Sequence, residues 1–143
     1  MTKEDMIKYL NKIIVQECKH FAHYLYSSLT IKGIERPVLG PIFEKEMASE
    51  LNHIREFGDK IVSMGGIPEI NMSSSVKDCG NNPQEMLNKA IMMEREILHI
   101  YHETYILAEK YAEISNDMSV VLLLEENIEH TTKDVEELEK LRI

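Results

Sequence analysis

Residues 43–66 read FEKEMASELNHIREFGDKIVSMGG and carry two patterns at once. Phe43, Met47, Leu51, Ile54, Phe57, Ile61 and Met64 recur every three or four residues, which is the spacing of a helix with one apolar face. The pair Gly65-Gly66 stops it. In the middle of that face stand Glu50 and His53, spaced i, i+3, so that a carboxylate and an imidazole share one side of the helix about a turn apart. An apolar stripe that admits a carboxylate must either protonate it or supply a cation, because an isolated buried charge is costly.

The chain on either side repeats the pattern. Toward the N-terminus, Pro37, Gly40 and Pro41 mark a short turn. Before it, Ile7, Leu10, Ile14, Phe21, Tyr24, Leu25 and Ser28 predict a helix from about Lys3 to Ile31, ending at Gly33, with Glu17 set into its stripe. Toward the C-terminus, residues 67–83 (IPEINMSSSVKDCGNNP) hold two prolines, Gly80 and a serine run, and predict a loop that crosses the length of the domain. A third helix follows from Gln84 to about Ile114, with Pro83 in its first turn, on Leu87, Ile91, Ile97, Leu98, Tyr101, Tyr105, Ala108 and Tyr111. Glu94 interrupts this stripe as Glu17 and Glu50 do theirs. Ser115-Asn116-Asp117 offers an N-cap to a fourth helix carried by Val121, Leu124, Ile128, Val135 and Leu138. Four helices of roughly 25 to 30 residues, paired by short turns and joined by one long crossover that makes the second and third parallel, predict an all-α four-helix bundle with ferritin-like connectivity. One domain is expected for the 143 residues.

Composition agrees. Six glycines, four prolines, nine methionines and no tryptophan favour long helices over a turn-rich sandwich. The net charge of −9, from 25 acidic against 16 basic residues, disfavours a grip on DNA, RNA or anionic lipid and favours cations. Two cysteines, Cys18 and Cys79, are too few for a disulfide scaffold and read as reduced thiols. The N-terminus lacks the apolar core of a signal peptide and no apolar run approaches a membrane span, so a cytoplasmic location is expected.

Three carboxylates at similar heights, Glu17, Glu50 and Glu94, with His53 beside one of them, call for a pair of metal ions. The general dimetal bundle takes one Glu from each of two helices and Glu-x-x-His from each of the other two. Carboxylate and imidazole donors suit iron, manganese or zinc. The fourth helix departs from this pattern. An ungapped count puts Asn127-x-x-His130 in the ligand places, whereas a shift of one residue brings Glu126 and Glu129 inward. The phase of Val120, Leu124, Ile128 and Val135 sets Asn127 nearer the buried face than Glu126. The pairs His20/His23 and His99/His102 read as surface histidines. Cys18 reads as a packed thiol, Glu136-Glu137-Glu139 as a solvated face, and Met86, Met92 and Met93 as core or subunit interface.

Glu17 with Tyr24 two turns on, Glu46, Glu50-Leu51-Asn52-His53, Met64-Gly65-Gly66-Ile67-Pro68, Gln84-Glu85-Met86-Leu87 and Glu94 resemble bacterioferritin over nearly the whole chain. That resemblance implies a di-iron ferroxidase centre held by Glu17, Glu50, His53, Glu94 and His130, with Glu126 or Asn127 in the sixth place and Tyr24 beside it. Fe(II) would be oxidised by oxygen or hydrogen peroxide and stored or detoxified in a homo-oligomeric shell. Where that family binds haem through a methionine after the second-helix glutamate, this chain has Leu51, so haem is not expected. The chain stops soon after its fourth helix, without the short fifth helix of the 24-subunit cage, so a 12-subunit shell like that of the DNA-protecting relatives, or a plain dimer, competes with it. Direct DNA binding is not expected. The rivals are a peroxide-consuming dimetal enzyme resembling rubrerythrin or manganese catalase, and a bundle whose fourth-helix half-site has decayed.

Overall fold

In the computed structural model, which describes residues 1–72 and 79–143, four helices form the bundle: α1 (Lys3–Thr30), α2 (Arg36–Ser63), α3 (Pro83–Ser115) and α4 (Ser119–Glu139). There is no strand among the described residues. Residues 73–78 of the expected loop lie outside them.

The helix ends follow local chemistry. Thr2 and Asp5 form a capping box on α1, the Thr2 hydroxyl accepting from the Asp5 amide at 3.1 Å while the Asp5 carboxylate accepts from the Thr2 amide at 2.9 Å. Asn82 caps α3, its side-chain oxygen accepting from the Glu85 amide at 2.9 Å. At the end of α2, Gly65 adopts φ +86°, and the Gly66 amide closes on the Ile61 carbonyl at 2.9 Å. Gly66 has no room for a side chain, since a Cβ there would stand 2.8 Å from Ile7 Cγ2. The crossover therefore leaves α2 pressed against the start of α1.

Two boundaries differ from the sequence expectation. α2 begins at Arg36, before the expected turn, and takes in Pro37, Gly40 and Pro41. Pro37 sits in the first turn, where its missing N–H has no intrahelical partner to lose; Pro41 forfeits a single bond, while Leu39 and Phe43 bury on either side of it. α4 starts at Ser119 with no side-chain cap bond from its N-cap, Met118. Asp117 instead accepts from the Ser119 amide at 2.9 Å, just upstream of the helix.

Cross-helix contacts fix the directions. Glu17 meets His53 and Tyr24 meets Phe43, so α1 and α2 are antiparallel. Tyr24 bonds Glu94 and Tyr101 bonds Glu17, so α1 and α3 are antiparallel as well. α2 and α3 then run parallel, as the long crossover requires. Ser49 with His130 and Lys60 with Ser119 set α4 antiparallel to α2.

The core divides into two apolar clusters. One gathers Leu10, Ile14, Phe57, Ile61, Val121 and Leu124. The other gathers Ile31, Leu39, Phe43, Leu87, Ile91 and Leu138. Glu17, Glu50 and Glu94 lie between them in sequence on every helix that carries them. Met86 and Met93 are core, whereas Met92 is exposed. Leu51, expected in the α2 stripe, is 43% exposed, because the inward face at that height belongs to Glu50 and His53.

Candidate metal centre

Four carboxylates are buried in the middle of the bundle: Glu17 on α1, Glu46 and Glu50 on α2, and Glu94 on α3. None of them is ion-paired to a lysine or arginine, and no lysine or arginine is buried, among the described residues. The imidazole of His53 lies among them, its Nδ1 3.5 Å from Glu17 Oε2 and 3.6 Å from Glu50 Oε2. Ligand atoms held about 2.1 Å from one tetrahedral or octahedral metal ion are themselves about 3.0 to 3.4 Å apart, so the His53 nitrogen stands from each of these oxygens close to the spacing an ion would impose.

Each outlying carboxylate is braced on one oxygen and free on the other. Tyr24 donates to Glu94 Oε1 at 2.8 Å, and Tyr101 donates to Glu17 Oε1. The remaining oxygens, Glu17 Oε2 and Glu94 Oε2, make no hydrogen bond, and neither do Glu46 Oε2 and Glu50 Oε2. Buried polar atoms without partners are rare and costly in a native fold. Here they converge. One ligand atom from each of Glu17, His20 and Glu50 lies within 4.8 Å of the others, and the same holds for Glu46, Glu50 and Glu94. Glu50 belongs to both groups. Four carboxylates balance two divalent cations, and the orphaned oxygens supply the donors; the residues fit a dimetal centre.

Electrostatics without an ion register the same crowding. Burial, with Glu17 and Glu46 nearby, pushes the Glu94 carboxyl well above its ordinary range. Burial and the nearby Asp134 carboxylate push Glu46 up to about 8. For His53, burial favours the neutral ring, but the nearby Glu17 carboxylate, with Glu56 and Asp134 behind it, prevails and raises the imidazole. Burial lowers His20 to about 4, leaving it neutral with both ring nitrogens unpartnered.

The structure brings Glu17, Glu50, His53, Glu94 and Tyr24 together. It brings neither Glu126 nor His130 into either group of converging atoms; both are exposed. The inward positions of α4 go to Leu124, Asn127, Thr131 and Leu138. Asn127 turns its amide back to the Leu123 carbonyl at 2.8 Å. His130 Nε2 reaches Ser49 Oγ at 3.1 Å and Asp134 Oδ2 at 3.3 Å, and its ring stands edge-on to His53 at 5.4 Å. Together with Asn52, Glu56, Glu126 and Glu129 it lines an outer pocket of about 320 Å³ that opens onto His53.

His20 and His23 are not surface histidines, as their spacing alone had suggested. Both are buried, His20 against the carboxylates and His23 with Nε2 donating to the Met86 carbonyl at 3.2 Å. The signal for His20 was present: Glu17-x-x-His20 has the same spacing as Glu50-x-x-His53. His99 and His102 are exposed. Cys18 and Cys79 are buried free thiols.

The model of the ferritin-like domain matches residues 7–142. The chain belongs to the ferritin-like family. Among solved structures, this ferritin-like chain is similar to the ferritin-like diiron-carboxylate protein of Bacillus anthracis, at 30% identity and a TM-score of 0.85 over 99% of each chain. It also shares its fold with the dodecameric thioferritin of Bacteroides fragilis, a bacterioferritin-related protein, at 18% identity and a TM-score of 0.81 over 98% of this chain and 85% of that one. No curated protein matches it by sequence. No helix is long and apolar enough to cross a membrane, among the described residues.

Proposed function

We propose that this chain is a ferroxidase whose substrate, Fe(II), is bound in pairs by Glu17, Glu50, His53 and Glu94 and is oxidised by dioxygen or hydrogen peroxide, for iron storage or detoxification. The observation that carries this is the set of four buried carboxylates, each with an oxygen that makes no hydrogen bond, and no buried lysine or arginine beside them among the described residues. Two Fe(II) ions give up two electrons, which with two protons reduce one peroxide to two waters, or one dioxygen to one peroxide; the product is Fe(III).

The protein's part is positional. Tyr24 and Tyr101 hold Glu94 and Glu17 by their outer oxygens and aim the free ones inward. The two apolar clusters keep bulk water from the centre on both sides. The outer pocket beside His53, edged by Glu56, Glu126, Glu129 and His130, gives Fe(II) an acidic way in. Glu126 and His130 thus serve entry. A homo-oligomeric shell that holds the ferric product accords with the dodecamer of the Bacteroides fragilis neighbour.

Mixing Fe(II)-loaded protein with oxygen or peroxide in a stopped-flow instrument tests this reading. The expected result is Fe(III) formation well above the rate of protein-free iron, falling to that rate in Glu50→Ala. Oxidation no faster than in buffer would refute it. Continued peroxide consumption with no net ferric product would select the peroxide-consuming reading. Asn127, an uncharged residue at an inward α4 position, favours a centre holding a single ion, and loading at one Fe(II) per chain would select that.

A further inference from the structure

The dimetal template needs two histidines and a balanced set of carboxylates, and α4 buries none of these: its buried residues at this height are Asn127 and Thr131, while Asp134 stands half-buried behind Glu46. The neighbouring helices carry what it lacks. His20 on α1 is 1% exposed, has no partner on either ring nitrogen, and brings a nitrogen within 4.8 Å of ligand oxygens of both Glu17 and Glu50. Glu46, one turn before Glu50 on α2, is buried with Oε2 unpartnered and lies within 4.8 Å of ligand oxygens of Glu50 and Glu94.

We propose that the second Glu-x-x-His pair of this centre is Glu17-x-x-His20 on α1, and that Glu46 supplies the fourth carboxylate, so that the two metal positions are built without a direct ligand from α4. The first position then has Glu17, His20, Glu50 and His53, two nitrogens and two carboxylates. The second has Glu46, Glu50 and Glu94, all carboxylate, with the Asp134 side chain of α4 close behind Glu46. The unlike donor sets make the positions unequal: imidazole holds iron or zinc, whereas a site of oxygens alone favours manganese or magnesium.

The proposal rests on reading the buried cluster as a metal centre, and its test separates the two. Crystals of the full chain loaded anaerobically with Fe(II) are measured at the iron edge. Two anomalous peaks are expected, one about 2.1 Å from a His20 nitrogen and one about 2.1 Å from a Glu46 oxygen. In solution, His20→Ala is expected to weaken one of two bound Fe(II) ions at least tenfold and Glu46→Gln to lower the count from two to one, with thermal melts confirming that both variants fold. Asn127→Ala is expected to keep two. Peaks ligated by Asn127, Glu126 or His130, with His20 and Glu46 left bare, would overturn the proposal while leaving the metal centre standing. No iron peak and no Fe(II) uptake by the unaltered chain would remove both.

Discussion

α1 and α4 face the same centre and bring it opposite chemistry. α1 turns in Glu17, His20 and Tyr24, all buried, whereas α4 turns in Asn127 and Thr131 and leaves Glu126, Glu129 and His130 on its outer side. Both helices are amphipathic and both contain glutamate and histidine at helical spacing. What separates them is phase: on α1 the Glu-x-x-His spacing coincides with the apolar stripe of Leu10, Ile14 and Tyr24, and on α4 the stripe of Leu124, Thr131 and Leu138 runs between the carboxylates. A motif carries chemistry only on the face that is dehydrated, because there a carboxylate needs a cation and in water it does not.

The largest effect that would break this contrast is at the shared ligand. Glu50→Ala is expected to abolish uptake of both ions, read as bound Fe(II) per chain, because the residue belongs to both converging groups. Retention of one ion would mean that the two positions are independent.

Metal and pH come next. Glu46 is held up to about 8 by burial and Asp134. Between about pH 4.5 and 8 the unfolded chain releases this proton while the folded, metal-free chain keeps it, so the folded state binds more protons and its stability falls as pH rises. A metal-free sample is therefore expected to melt at progressively lower temperature across that window, and Glu46→Gln to flatten the decline. Loading with a metal at a hundredfold excess over its Kd should add about 2.7 kcal/mol per site, or roughly 10 °C in Tm. Equal pH profiles for the unaltered chain and the variant would show that Glu46 is solvated.

Smaller again is Tyr24→Phe. It removes the 2.8 Å bond to Glu94 and leaves a buried oxygen unsatisfied, which should weaken Fe(II) binding about tenfold without changing the count of two. Calorimetric titration checks it. The smallest effect belongs to the exposed side of α4. Glu126→Ala should leave stoichiometry and Tm unchanged and slow Fe(II) entry a few-fold at low salt only, as surface charges act. A lost ion in that variant would restore α4 to the ligand set.

How much of this could be read from the sequence follows the same contrast. Glu17, Glu50 and Glu94 were legible because each breaks an apolar stripe, and His53 because it sits i+3 from one of them. Asn127, which the phase of α4 placed inward, is buried. His20 reads as a surface residue when it is paired with His23 and not with Glu17, three residues before it. Tyr101 read as a plain core aromatic, since its bond to Glu17 spans 84 residues and has no local trace. The start of α2 was hidden by Pro41, whose local cost is outweighed by the burial of Leu39 and Phe43, a tertiary gain that local propensity does not contain.

The claim that a centre for two ions stands on α1, α2 and α3 is tested most directly by anaerobic titration of the metal-free chain with Fe(II). Saturation at two ions per chain, unchanged in Asn127→Ala, is the predicted result. Saturation at one, or none, would contradict it.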